Sequence, residues 1–188
     1  MKRFSPSLPL AALLFCTALA GCGGSSKKQE PIGEIPATST LDNDTVRKLL
    51  IKGARAYAGV LEMATQEKSI VKGKPVVRLD PKRVPTMGAL RSYLLAAFTD
   101  RAADSVLFDL GVVEDGGKLW LAPPEPGDIR SYDESEIVGV EAEGNGAIVD
   151  VEIPLGDSGQ TDELRLLLAQ AGGNWRVDSN PYGAAEEQ

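Results

Sequence analysis

Groups able to move protons or hold metals are unevenly distributed along this chain. Its 188 residues contain no histidine and only two cysteines, Cys16 and Cys22. Without histidine, neither a Ser–His nor a Cys–His nucleophile pair can be built, and the common zinc sites are excluded. The most usual general base is missing too. Carboxylates, lysines and tyrosines remain. Asp100 and Asp104 stand one helical turn apart, the spacing of an acid/base pair, but they read as a cap and a solvated face. Asp42-x-Asp44 opens like a calcium loop. Such a loop needs Gly at its sixth position and Glu at its twelfth, where this chain has Arg47 and Gly53. Gly144-Asn145-Gly146 has the glycines of a phosphate loop without the strand-to-helix context, and reads as a turn. No catalytic set, metal site or cofactor is expected.

The charges separate along the chain. Between Lys27 and Arg91 there are 13 basic and 7 acidic residues; between Asp100 and Glu163 there are 3 and 17. So acidic a segment repels nucleic acid and suits a basic protein partner or a cation.

The N-terminus has the layout of an export signal: basic Lys2 and Arg3, an apolar run from Leu8 to Ala20, then Leu19-Ala20-Gly21-Cys22. The last four residues resemble a bacterial lipobox. Residues 1–21 are therefore expected to be cleaved, with Cys22 carrying the lipid (a diacylglycerol with added palmitate-type acyl chain). The mature chain then has no free thiol. Gly23 after that cysteine favours the outer membrane, facing the periplasm, if the organism has two membranes. Residues 22–41 are rich in Gly, Ser, Pro and charge and read as a flexible tether.

A single domain is expected over residues 42–179, with a polar tail at 180–188. Val46, Leu49, Leu50, Tyr57, Val60, Leu61 and Ala64 recur at helical spacing, predicting a helix capped by Asp44 and ending near Lys68. Lys74 to Leu79 reads as a strand. A second helix spans Met87 to Phe98, opened by Thr86. A third starts at Thr99 or Asp100 and stops at Gly111. Beyond Gly111 the pattern changes to strands. Val112-Val113 and Lys118 to Leu121 flank a Glu-Asp-Gly-Gly turn, and Ala122 to Asp128 is a Pro-rich loop. Strands follow at Glu136–Glu143, Ala147–Leu155, Glu163–Gln170 and Asn174–Asp178. Helices first and strands later predict an α+β domain, with N-terminal helices packed on a curved antiparallel meander sheet.

Several of these motifs occur together in one known family. The order Thr86…Leu90…Tyr93-Leu94…Phe98-Thr99…Ala102, the hairpin Glu114-Asp115-Gly116-Gly117-Lys118-Leu119, then Ile153-Pro154-Leu155-Gly156-Asp157 and Gly173-Asn174-Trp175-Arg176-Val177 resembles the DL-endopeptidase inhibitors of bacterial envelopes. The resemblance spans about Val76 to Ser179. It departs from the family in the extra hairpin glycine, in Trp120 where Tyr is usual nearby, and in the lipid anchor. It implies a non-enzymatic protein that plugs the cleft of a peptidoglycan-cleaving cysteine peptidase. The matching motifs lie in helices and strands and not in the loops, so no family residue carries over one by one; from the acidic loop and hairpin of this chain, the interaction surface is expected at Asp115, Trp120, Glu125, Asp128, Asp133, Glu134 and Glu136. Carboxylates facing a desolvated basic cleft form charge-assisted hydrogen bonds. Two further readings stay open at this level: a small-molecule binder with a pocket between helices and sheet, and a structural lipoprotein of envelope assembly.

Overall fold

A computed structural model describes residues 32–124 and 130–182. Cys22, the expected export signal, Glu125 and Asp128 lie outside the described residues.

The architecture is α+β. Helix α1 (Asn43–Leu61) is followed by strands β1 (Ala64–Val71) and β2 (Lys74–Leu79), then helices α2 (Met87–Leu94) and α3 (Asp100–Asp109). Strands β3 (Val113–Asp115), β4 (Lys118–Leu121), β5 (Glu136–Glu143), β6 (Gly146–Pro154), β7 (Thr161–Ala171) and β8 (Asn174–Val177) complete the domain. The strands form two antiparallel four-stranded sheets, in the orders β1-β2-β4-β3 and β5-β6-β7-β8, rather than the single meander expected. The division occurs because β2 pairs with β4, Val77 opposite Leu121 and Arg78 opposite Trp120, so β4 is already flanked on both sides. The chain must leave that sheet before β5 can start.

The first helix ends seven residues earlier than its periodicity suggests, at Leu61 instead of Lys68. Ala64–Val71 turns back through Lys72 and Gly73, whose φ values of 50° and 79° are those of a tight two-residue hairpin, to pair with β2. The N-cap is Asp42, not Asp44: its carboxylate accepts the amide of Thr45 at 2.8 Å, which lowers the acid's pKa. Asp44 sits in the first turn, where the helix dipole favours an anion. Thr86 and Thr99 cap α2 and α3. α2 stops at Leu94, yet Phe98 beyond it is fully buried and bridges Val177. Thr99 also donates to the Asp178 carboxylate, and Arg101 pairs with it at 2.5 Å, so the start of α3 is fixed to the end of β8.

One core runs between the three helices and the inner faces of both sheets, filled by Leu49, Leu50, Leu79, Leu90, Leu94, Phe98, Leu121, Ile153 and Leu166. A small second cluster, Val71, Val76 and Trp120 with Val113, covers the outer face of the first sheet. Two stretches read as tether and tail contribute to the domain. Ile35 is buried and its carbonyl accepts the Trp175 amide at 2.7 Å, while the Ala37 amide donates to Gly173, so these residues extend the β8 edge. Tyr182 lies in the core with its hydroxyl on the Leu50 carbonyl. Both attachments are made to residues far away in sequence, so local composition gives no sign of them.

Candidate functional site

The segment between β4 and β5 and the first residue of β5 carry three of the described acidic candidates, Asp133, Glu134 and Glu136, and the segment's inward residues hold it to the domain. Arg130 enters first. Its Nε donates to Asp162 Oδ2 at 2.7 Å, and the pair is shielded, with side-chain exposures of 15% and 34%. The Ser131 amide donates to the Pro154 carbonyl. The Tyr132 ring meets Tyr182 edge-on, centroids 5.7 Å apart. At the far end, Arg47 of α1 reaches Ser135 with two donors, Nε at 3.2 Å and Nη2 at 3.0 Å from the carbonyl oxygen. Arg130, Tyr132 and Ser135 are thus fixed, and Asp133, Glu134 and Glu136 between and beside them point to solvent.

Strand register extends this acidic surface. Glu136 lies opposite Glu152, and Glu152 opposite Glu163, placing three carboxylates in a row across β5, β6 and β7. Directly opposed like charges destabilise a sheet. One step along, Asp150 lies opposite Arg165, whose Nε donates to it at 2.9 Å and whose pKa that hydrogen bond raises. No corresponding cation faces the Glu row among the described ion pairs. β5 is also the free edge of its sheet, with Val138 and Val140 exposed beside Glu136, Glu141 and Glu143.

The remaining candidates lie elsewhere. Asp115 is exposed at the tip of the β3–β4 hairpin, in the other sheet. Trp120 is buried in the small outer cluster, its Nε1 3.4 Å from the Asp115 carbonyl, so it supports that hairpin and offers little surface to a partner. Sequence reasoning did not select Glu152 or Glu163, nor the supporting Arg47, Arg130 and Tyr132. Alternation marks Glu152 as outward, but only register shows that it stands beside Glu136 and Glu163.

Among the described candidates, Asp115 lies on one sheet and Asp133, Glu134 and Glu136 lie at the edge of the other. Among the described residues, no group of three or more His, Cys, Asp or Glu side chains is placed to hold a metal ion. A groove of about 340 Å³ lies over β6 and β7, between Arg101, Glu143, Ile148, Leu167 and Asp178. Tyr93, Phe98 and Trp120, the aromatic residues that a pocket between helices and sheet would use, do not line it. What the site offers is a rigidly backed row of carboxylates beside an open strand edge.

The family model described as IseA DL-endopeptidase inhibitor matches residues 37–181. The chain belongs to the IseA DL-endopeptidase inhibitor family. The match covers both sheets, all three helices and the acidic segment, so the IseA-type domain and the folded domain coincide. It also begins at Ala37 and ends at Pro181, which places the β8 edge extension and the approach to Tyr182 at the borders of that domain. A search of curated proteins found no match.

Proposed function

We propose that this protein is a non-enzymatic inhibitor of a peptidoglycan DL-endopeptidase of the cysteine type, held at the cell envelope by a lipid on Cys22. Membership of the IseA family carries the reading. The site geometry supports it. Asp133, Glu134 and Glu136 are presented by a segment whose backbone is already fixed by Arg47 and Arg130, so little ordering entropy is lost on binding. A basic cleft complements that surface, and desolvated carboxylate contacts are the strong class of hydrogen bond. The lipobox-like Leu19-Ala20-Gly21-Cys22 supports the anchor.

The test is lysis of purified peptidoglycan by a DL-endopeptidase, followed by turbidity, with and without this protein. The parent chain slows lysis. The triple variant Asp133→Ser/Glu134→Ser/Glu136→Ser weakens inhibition by at least about tenfold, since each lost charge-assisted bond is worth on the order of 1 kcal/mol or more. Full inhibition by that variant would place the interface elsewhere. Undiminished lysis with the parent chain, across DL-endopeptidases of the cysteine type, would overturn the reading.

A further inference from the structure

The β1–β2 hairpin has no role in the site described above, and its chemistry is the opposite of that site. It overhangs the core. Lys68, Ile70, Lys72 and Lys74 are all exposed, and Ile70 keeps 74% of its surface in water. Ile70 pairs with Pro75 and Lys68 with Val77, on the face that further along the strands is covered by the core. At the hairpin tip that face is bare. The hairpin's own acid, Glu67, is occupied by Arg78 at 2.7 Å and Lys118 at 3.3 Å. Lys68, Lys72 and Lys74 take part in none of the described ion pairs, so their charge is uncompensated among the described residues. The tip itself is stiffened by the Lys72-Gly73 turn and, on the opposite face, by Val71 and Val76 against Trp120.

We infer that this hairpin is a membrane-contact element that inserts Ile70 at the interface of an anionic bilayer while Lys68, Lys72 and Lys74 meet lipid phosphates. An aliphatic tip ringed by flexible ammonium groups suits a surface with an apolar interior and an anionic boundary. Each lysine within a Debye length of such a surface adds to the attraction. The encounter follows from the anchor proposed for Cys22, on which this inference rests. Nine residues lie between Cys22 and Ile32, ten residue-to-residue steps that span at most about 35 Å, so an anchored domain is confined to the neighbourhood of the bilayer. One lipidated residue tethers without orienting. A second, peptide contact fixes which side faces the lipid, and the same surface repels the Glu136-Glu152-Glu163 row on the other sheet.

The experiment uses the mature chain from residue 22 with Cys22→Ser, which removes the lipid and isolates the hairpin. It is sedimented with vesicles of phosphatidylcholine alone and of phosphatidylcholine with phosphatidylglycerol. Binding to the anionic vesicles only, weakened by salt, is expected. Lys72→Glu/Lys74→Glu lowers that partitioning at least about tenfold, and Ile70→Ser lowers it about fivefold with the charge unchanged. Unaltered thermal melting of both variants shows that the fold is kept. Equal binding by parent and variants would assign the contact to Lys27 and Lys28 and overturn the inference. So would no binding of the parent, or binding to isolated cell walls carrying anionic polymer without binding to vesicles. Palmitate labelling of the full chain tests the anchor separately: an unlabelled Cys22 defeats that reading and leaves the vesicle result to be judged by itself.

Discussion

Tyr182 shows how much one side chain organises here. Its ring meets Tyr57, Phe98 and Tyr132 at centroid distances of 6.1, 5.9 and 5.7 Å, and its hydroxyl donates to the Leu50 carbonyl at 2.9 Å. The slot exists because α1 has a glycine beneath it: a Cβ at Gly53 would lie 2.2 Å from the Tyr182 oxygen. A mid-helix glycine costs about 1 kcal/mol relative to alanine, and here the ring it admits offsets that. Burial pushes the phenol's pKa well above its usual 10.0. The folded state therefore keeps this proton to higher pH than the unfolded chain does. The stability linked to it is fully present below about pH 10 and falls as pH rises further, by up to about 1.4 kcal/mol per pH unit. Tyr182→Phe is expected to cost about 1 kcal/mol at neutral pH through the lost hydrogen bond, and to lose stability less steeply above about pH 10. Urea unfolding across that range measures both effects, and parallel pH profiles for parent and variant would refute the second. None of this is legible in Asn180-Pro181-Tyr182, which reads as the start of a polar tail. The glycine and carbonyl that define the residue's role stand on the first helix.

At the scale of elements, local signals were readable and non-local pairings were not. Caps and turns are written within a few residues: Thr86 and Thr99 open their helices, and Gly111, with φ of 59°, ends α3 where a Cβ would press on Ala122 at 3.1 Å. The hairpins flanking Gly116-Gly117 and Gly172-Gly173 were legible for the same reason. Ala64–Val71 was hidden because Ala64 continues the helical spacing of α1 and the strand that follows is mostly polar and exposed. The division into two sheets depends on β2 choosing β4, which no local pattern encodes. The edge formed by Ile35 to Ala37 is the clearest case. Gly and Pro nearby suggest tether, yet Ile35 is buried and its carbonyl serves β8, while Trp175 Nε1 donates to Ser39 at 3.1 Å. Ile35→Ala is accordingly predicted to destabilise the domain by about 2 kcal/mol and to speed hydrogen exchange at the Trp175 amide. A variant with parental stability and exchange would mean that this segment is only resting on the sheet.

Over the whole molecule, the distribution of charge is more informative than its sum. The formal total is −7, a value compatible with many functions. Folding places the cations of the β1–β2 hairpin on one sheet and the Glu136-Glu152-Glu163 row on the other. The segregation was visible along the sequence as a basic first half and an acidic second half, but not which carboxylates become neighbours. With the basic cleft proposed above, an acidic surface backed by a rigid domain accelerates encounter, and exposed charges are screened beyond about 8 Å at physiological salt. Inhibition of the DL-endopeptidase is thus predicted to be salt-sensitive chiefly in its onset. Raising salt from about 0.05 M to about 0.5 M slows association about tenfold or more, with a smaller change in dissociation, because the contacts that are desolvated in the complex are screened far less. Stopped-flow or surface-capture kinetics with the purified enzyme separate the two rates. A Glu152→Gln/Glu163→Gln variant, altered outside the loop, is expected to slow association while leaving dissociation close to the parent's. If dissociation changed instead, these two glutamates would lie inside the interface, and the docked surface would extend across β6 and β7 rather than stop at β5.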